Sequence, residues 1–463
     1  MNTIVDSLIQ AARTAQRLYQ RYDQAAVDAV VTAAGWAIVH PGRNRALAEL
    51  AVRDTGLGVV EDKITKNHRK TLGLLRDLQG VRSVGVIAEY PERGIVEIAR
   101  PVGVVAAITP STNPGATPAN KIINALKGRN AVIVAPSPKG AGTCAALLEF
   151  IDTELDKLGA PAGLVQMLPS PVTKEATLAL MRAADLVVAT GSQANVRAAH
   201  TSDTPAFGVG AGNVAAIIDT SANLADAAAA IALSKTFDNA TSCSSENSVV
   251  ILDAVFDAAL AALAGTGGIL LDDDEKASLQ AAMWCDGKLN PQTTAQSTTT
   301  IAALAGLARP EVSRAAFLMV REDGTGRHCP FSGEKLAPVL AVYRAWDFDH
   351  ACKIVADIYA YQGAGHSVGI HSADDAHILR LGLELPVARV IVNQIHCYAT
   401  GGSFDNGLPF SLSMGCGTWG RNNFSDNLNY KHYLNITRIS RKIPQQMPTL
   451  DDIFGEHFRK YGK

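Results

Sequence analysis

The sequence predicts an α/β fold, and three observations predict it. Short runs that are almost wholly apolar recur along the chain, Ala- and Leu-rich stretches of helical spacing separate them, and small polar or glycine-bearing turns follow several of the runs. Strands apolar on both sides belong to parallel sheets covered by helices on both faces, and turns at the ends of such strands are where α/β proteins bind ligands. At 463 residues the chain is long enough for two large domains or about three smaller ones.

The elements follow in order. Residues 1–80 read as helices: Ile4, Leu8, Ile9 and Ala12 recur at helical spacing, as do Ala25, Val27, Val30, Val31 and Ala34. From Gly94 the pattern changes to strands, expected at 95–99, 102–108, 130–135, 186–189, 214–218 and 248–252, with helices at 116–127 and 140–158 between them. A second α/β region starts near Leu224, with helices at 224–236, 254–263 and 350–358 and strands at 315–320, 339–343, 367–370 and 390–393. Residues 292–300, QTTAQSTTT, read as a polar surface loop without functional signal. The alternating segment 434–439, LNITRI, reads as a strand, placed either against a partner subunit or at an edge of its own domain.

Composition narrows the function classes. Forty-two Lys and Arg stand against 44 Asp and Glu, a net charge of −2, which leaves no basic face for nucleic acid and no acidic tail. No apolar stretch approaches the ~18 residues of a membrane span, and the N-terminus lacks the pattern of a signal peptide. A cytoplasmic protein with small-molecule partners is expected. The seven cysteines, Cys144, Cys243, Cys285, Cys329, Cys352, Cys397 and Cys416, contain no C-x-x-C pair, so free thiols and no metal site are expected.

Four motifs carry chemistry. In DNATSCSSE (238–246) Cys243 is flanked by small polar residues and enters a strand directly, which leaves its sulfur approachable; a thiol there becomes a nucleophile once its proton is removed. ITPSTNP (108–114) closes a strand and puts Asn113 at its carboxyl edge, where a side-chain amide can donate to an oxygen that turns negative; an Asn-Pro turn is the plain alternative. TGSQANV (190–196) joins a strand to a helix, so Gly191 and Ser192 suit a pyrophosphate at the helix start or a simple tight turn. GVGAGN (208–213) and GCGTWGRN (415–422) are glycine clusters that allow close backbone approach, with Cys416 a second thiol or a small packed residue.

In this order, followed by EKLAPVLAVY (334–343) and GCGTWG, the motifs resemble the aldehyde dehydrogenase superfamily, and within it the coenzyme A-acylating branch. The resemblance spans roughly residues 1–445. It implies two interleaved Rossmann-type α/β domains plus a small β oligomerisation element. The expected division is a cofactor-binding domain over 1–216, with 92–101 contributing to oligomerisation, a catalytic domain over 217–412, and a return over 413–463 that ends in the oligomerisation strand. A homodimer or homotetramer is implied.

The resemblance also implies roles. Cys243 is the nucleophile, Asn113 with the Cys243 N–H is the oxyanion hole, and His366 in GAGHS, with His396 as the alternative, aids deprotonation of the CoA thiol. A purely structural histidine is the competing reading for both. Thr109, Pro110, Ser137, Lys139, Gly191, Ser192, Gly210 and Glu334 are the expected nicotinamide-nucleotide residues. The hydrolytic enzymes resemble E-L-G-G-K where this chain has Gly208-Val209-Gly210-Ala211-Gly212, so their general-base glutamate is glycine here. Losing a general base removes a factor of roughly 10²–10⁴, which disfavours water as acyl acceptor and favours a thiol. Hydrolysis would need a base from elsewhere, such as Glu246 or Glu334, and a non-catalytic scaffold is the rival of a different class.

Cofactor and substrate are approached through charge and polarity. Pro138 stands where a ribose-binding acid is expected and Lys139 follows, which favours NADP over NAD. Ser111, Thr112, Asn239, Thr241, His396 and Tyr398 suit a short polar or anionic aldehyde, since an alkyl chain would leave buried hydroxyls and amides unpaired. Within the branch the resemblance is strongest to dehydrogenases of sulfoacetaldehyde, which implies sulfoacetyl-CoA as product. Acetaldehyde, propionaldehyde and succinate semialdehyde stay open as substrates.

Overall fold

Four helices open the chain: α1 (Thr3–Tyr19), α2 (Gln24–Val39), α3 (Pro41–Thr55) and α4 (Val60–Leu78). The structure is a computed structural model that describes residues 3–210 and 212–463. Val5, Ile9, Ala12, Ala15 and Tyr19 form the buried stripe of α1, while Ile4, one position off it, is 53% exposed. On α4 the buried face is unusual, because it carries Lys63, Lys66 and Asn67 as well as Leu74 and Leu78.

After the antiparallel pair β1 (Gly85–Tyr90) and β2 (Ile95–Pro101) the chain enters a parallel sheet of β3 (Val104–Thr109), β4 (Ala131–Pro136), β5 (Val165–Met167), β6 (Leu186–Thr190) and β7 (Ala206–Val209). Helices α5 (Ala116–Lys127), α6 (Ala141–Asp156), α7 (Lys174–Ala183) and α8 (Gln193–His200) lie between these strands in the chain. β3 and β4 are buried throughout, as continuous apolar strands covered on both faces must be. The lateral order β5-β4-β3-β6-β7 changes direction between β3 and β6, so a ligand crevice opens at their carboxyl ends, beside Thr109 and Thr190.

The second parallel sheet contains β8 (Val214–Ile218), β9 (Glu246–Leu252), β10 (Gly268–Leu270), β13 (Phe317–Arg321), β14 (Val339–Ala345), β15 (Val368–His371) and β16 (Val390–Val392), in the order β10-β13-β14-β9-β8-β15-β16. A small hairpin, β11 (Trp284–Cys285) and β12 (Lys288–Leu289), projects between β10 and β13 in the chain. Helices α9 (Leu224–Thr236) and α10 (Phe256–Gly265) cover one face through Ala227, Ile231, Ala259 and Leu263, and the helix Phe348–Tyr361 covers the other. The boundary expected at 216/217 would cut β8, whose residues pair with β9 and β15 alone; the chain changes sheets between Val209 and Val214. An apolar run such as VAAII reads the same in either sheet, so its pattern did not reveal its neighbours.

β17 (Leu434–Ser440) pairs antiparallel with β2, from Leu434 opposite Pro101 to Ser440 opposite Ile95. Within the chain it therefore extends the β1–β2 hairpin to three strands. Phe410, Leu428 and Tyr433 return to the first sheet's core. The segment 292–300 departs from its reading as a surface loop. Thr293 and Ala295 are buried, Ala295 N donates to Leu336 O (2.7 Å), and Ala295 O accepts from Gly58 N (3.1 Å) and Asn239 Nδ2 (3.2 Å). From Ser297, which caps it, the chain continues as the helix Thr298–Leu304. Among the described residues no helix is long and apolar enough to cross a membrane.

Candidate active site

The two sheets present opposite ends to one another. Asn113 follows the carboxyl end of β3, whereas Gly212, Cys243 and His366 lie just before β8, β9 and β15. The carboxyl-end rule for ligand sites thus holds for the first sheet, while the second contributes its amino ends.

Cys243 Sγ lies 3.6 Å from His366 Nε2. Burial, with smaller contributions from Glu334 and Cys416, pushes the thiol up to about 12, and burial with nearby Arg389 pushes the imidazole down to about 3. Both groups are neutral at pH 7. The other ring nitrogen, Nδ1, is 2.8 Å from Ser367 Oγ. With the proton on Nδ1 and donated to that hydroxyl, Nε2 carries a lone pair toward the sulfur and can take its proton. Arg389 holds the surrounding backbone by donating to the carbonyls of His366 (3.1 Å) and Gly415 (3.0 Å). Cys416 is buried, with its thiol pushed up to about 11 and its N–H donating to Asn422 Oδ1 (2.9 Å).

The loop before Cys243 is held by a buried carboxylate. Asp238, Asn239 and Ala240 all have left-handed φ, of 54°, 50° and 57°. Asp238 Oδ1 accepts from Val59 N (2.8 Å), and Oδ2 accepts from Lys66 Nζ (2.6 Å), Thr241 Oγ1 (2.6 Å) and Lys63 Nζ (3.1 Å). Burial raises the Asp238 carboxyl, but Lys66 and Lys63 outweigh it and hold the group below the usual carboxylate range. Lys66 Nζ also donates to Asn113 Oδ1 (2.8 Å), which joins the nucleophile loop to the end of β3.

A narrow cavity, part of it open to solvent, lies against these groups and is lined by Asn113, Ser242, Ser244, Tyr398, Met414 and three cations of α4. The ammonium of Lys70 donates to the carbonyls of Tyr398 (3.3 Å), Gly401 (2.9 Å) and Gly402 (3.1 Å), and burial pushes it down to about 7. Lys66 has its three donors on Asp238, Asn113 and Thr241. Arg69 differs. Its guanidinium stacks over the Tyr398 ring at 4.4 Å and makes one long contact, to Ser403 Oγ at 3.4 Å, so most of its donors are unengaged among the described residues.

A groove runs along the carboxyl ends of β3, β4 and β6, lined by Thr109, Pro110, Ser111, Ser137, Gly191 and Ser192 among others. Thr109 Oγ1 is buried without a hydrogen-bond partner, and Gly191 has φ +144°, a conformation that favours glycine and brings its backbone close to Pro110. An orphaned hydroxyl and a side-chain-free turn beside the start of α8 fit a dinucleotide. The groove lining includes Lys174, Arg182 and Arg197 and no carboxylate.

Other expected residues lie elsewhere. Lys139 is exposed in the turn Pro138–Gly140, outside the groove lining. Gly210 packs against the Gln193 side chain, and Ala211 of the same motif falls outside the described residues. Glu334 is half-buried on the cysteine side, accepts from Gly212 N (3.2 Å), and is pushed up to about 8 by desolvation. Of the six expected aldehyde residues, Tyr398 alone lines the cavity; Ser111 lines the groove along β3, β4 and β6 instead. Thr112 offers its carbonyl to Lys63 Nζ (3.3 Å), Asn239 turns to Ala295 O, and Thr241 is engaged by Asp238 and Lys66. His396 is buried and neutral, pushed down to about 4, with Nδ1 on Ser244 O (2.8 Å). Sequence reasoning missed the cavity's cations, Lys66, Arg69 and Lys70, together with Phe237, Ser242 and Met414. Among the described residues no cluster of three His, Cys, Asp or Glu is placed to hold a metal ion.

Residues 2–270 match the aldehyde dehydrogenase family. The chain is 66% identical to an acylating sulfoacetaldehyde dehydrogenase of Cupriavidus necator, over 99% of this chain and 93% of that one. It is 40% identical to an acylating sulfoacetaldehyde dehydrogenase of Bilophila wadsworthia over the full length of both. The fold superposes on an acetylating aldehyde dehydrogenase of Geobacillus thermoglucosidasius with a TM-score of 0.92 at 34% identity, covering 96% of this chain and 97% of that one. With a thiol, an imidazole and a side-chain amide gathered between two parallel sheets, and relatives of this kind along the whole chain, the protein belongs to the aldehyde dehydrogenase family, in its acylating branch.

Proposed function

We propose that this chain oxidises sulfoacetaldehyde to sulfoacetyl-CoA, with NADP as oxidant and coenzyme A as acyl acceptor, through a thioester on Cys243. The observation that carries the substrate assignment is Arg69, a guanidinium with unengaged donors in the cavity that Asn113, Ser242 and Ser244 also line. A planar fork of N–H donors matches a sulfonate, which keeps its charge at any working pH. The sulfoacetaldehyde dehydrogenases among the relatives support the same substrate.

His366 Nε2 takes the proton of Cys243, and the thiolate adds to the aldehyde carbon. Asn113 Nδ2 and the Cys243 N–H donate to the oxyanion. A nicotinamide nucleotide held by Thr109, Ser137, Gly191 and Ser192 in the groove would supply the hydride acceptor that turns the tetrahedral adduct into the thioester. The proton taken from Cys243 leaves His366 for solvent, which is the proton the overall reaction releases. His366 then takes the CoA thiol proton, CoA sulfur attacks the thioester, and the Cys243 sulfur departs and is reprotonated. Water competes poorly because no carboxylate stands at position 208: a Cβ on Gly208 would lie 2.8 Å from Val196 Cγ1 and 3.0 Å from His200 Nε2.

The choice of NADP rests on Lys174, Arg182 and Arg197 in a groove without carboxylates, a setting that attracts a 2′-phosphate. The β1-β2-β17 sheet and the exposed Leu450, Ile453 and Phe454 of the last helix support a homodimer or homotetramer. The test is a panel of sulfoacetaldehyde, acetaldehyde, propionaldehyde and succinate semialdehyde assayed with CoA and NADP. Sulfoacetaldehyde is expected to have the highest kcat/KM, and a rank below acetaldehyde overturns the substrate assignment. Without CoA, one NADPH per Cys243 is expected; sustained turnover overturns thiol transfer.

A further inference from the structure

We propose that Lys66 is a positioning residue that sets the direction of the Asn113 carboxamide and locks it to the nucleophile loop. The proposal rests on Asn113 being the oxyanion donor. An ammonium can only donate, so the Asn113 atom 2.8 Å from Lys66 Nζ is Oδ1. Nδ2 therefore points the other way, where among the described residues it donates only to Thr112 Oγ1, at 3.5 Å. An amide donor held in place and left almost unpartnered is what a developing oxyanion requires. Turned over, the same side chain would present a lone pair to negative charge and repel it.

Two carboxylates face two lysines here: Asp238 has Lys66 Nζ at 2.6 Å and Lys63 Nζ at 3.1 Å, and Asp62, which accepts from Asp238 N (2.7 Å), lies in the field of both. Charge pairing is thus common to Lys63 and Lys66. What distinguishes Lys66 is where its three donors go: to Asp238 Oδ2, to Thr241 Oγ1 two residues before Cys243, and to Asn113 Oδ1 at the end of β3. It thus ties together the two segments that would hold the oxyanion, one supplying the carboxamide and the other the Cys243 N–H. Three successive left-handed residues, Asp238 to Ala240, strain that second segment. A rigid tie across the gap keeps the two donors in register, where an error of about 1 Å slows reaction markedly.

The test is a double-mutant cycle on kcat for CoA-dependent oxidation, with Lys66→Met, Asn113→Ala and the pair. Asn113→Ala is expected to lower kcat by roughly 10²–10³ and Lys66→Met by at least about tenfold, chiefly in kcat rather than in KM for NADP. In the Asn113→Ala background, Lys66→Met is expected to cost less than about threefold, because its effect passes through an amide no longer there. If the two losses multiply, Lys66 does not act through Asn113 and the proposal falls. If Asn113→Ala leaves kcat intact, the oxyanion reading itself falls and takes the proposal with it. Should Lys66→Met fail to fold, the cycle is run on an Asp238→Asn background, where cation and carboxylate are removed together, with the same two criteria.

Discussion

Cys243 Sγ and His366 Nε2 are 3.6 Å apart, and one cause, burial, displaces the two groups in opposite directions. The thiol at about 12 and the imidazole at about 3 leave a neutral pair at pH 7, unlike the thiolate–imidazolium pairs that lie ready in some cysteine enzymes. The resting sulfur is thereby a poor target for adventitious electrophiles, and in the proposed mechanism its proton moves to His366 as the aldehyde carbon is attacked. In the free protein, the pseudo-first-order rate of Cys243 alkylation by iodoacetamide is expected to rise through pH 6–9.5 by close to tenfold per unit, without a plateau. An inflection near pH 7 would show a stabilised thiolate and contradict the neutral pair.

Arg69 is the side chain on which discrimination between aldehydes is expected to turn. A hydrogen bond to a charged group contributes about 1.5–3 kcal/mol, or roughly 10- to 100-fold. Arg69→Met is expected to lower the ratio of kcat/KM for sulfoacetaldehyde to that for propionaldehyde by this factor, and Arg69→Lys by less, since an ammonium lacks the planar fork. An unchanged ratio in Arg69→Met would move the sulfonate site elsewhere in the cavity.

How much of this was legible beforehand depended on whether the signal was local. The strands showed themselves because burial on both faces demands unbroken apolar runs, as in β3 and β4. Cys243, Asn113 and His366 stand in short segments whose small residues mark a turn beside a sheet. Lys66 and Arg69 were hidden because they sit more than 170 positions before Cys243, on an amphipathic helix whose charges read as a solvated face. Only the packing of the buried Asp238 against α4 turns part of that face inward. Lys139 reads as a nucleotide residue from its place just after β4, whereas the groove draws its cations from α7 and α8, which lie beside it through the crossover topology. Polar composition misread 292–300, because buried backbone hydrogen bonds at Ala295 leave no mark in side-chain chemistry.

The groove cations make a separate claim about cofactor choice. If Arg197 faces the 2′-phosphate of NADP, Arg197→Ala is expected to raise KM for NADP about tenfold while moving KM for NAD much less, in steady-state assays at fixed aldehyde and CoA. The loss should shrink as ionic strength rises, because Arg197 is exposed and its field is screened. Equal losses with both cofactors would assign Arg197 to the shared pyrophosphate instead.

Asp238 couples stability to pH with a definite sign. Its carboxyl is held below the usual range in the folded state, so the folded chain binds the proton less readily than the unfolded one. The stabilisation is complete above the ordinary carboxylate value, near 4, and is lost as pH falls through the lowered folded value. At neutral pH, Asp238→Asn leaves the buried Lys63 and Lys66 without their carboxylate, and removing one member of a buried ionic group costs about 3–5 kcal/mol. Urea unfolding at pH 7 is expected to show that loss in the midpoint. Because the wild-type carboxylate is neutralised at low pH and the amide is not titratable, the gap between variant and wild type should narrow as pH is lowered below 4. Lys63, which burial pushes down to about 8, gives a second signature: it sheds its proton more easily than an exposed lysine, so the variant's penalty should also lessen as pH rises through about 8. A gap constant from about pH 2 to pH 10 would mean that Asp238 holds the loop by shape and not by charge.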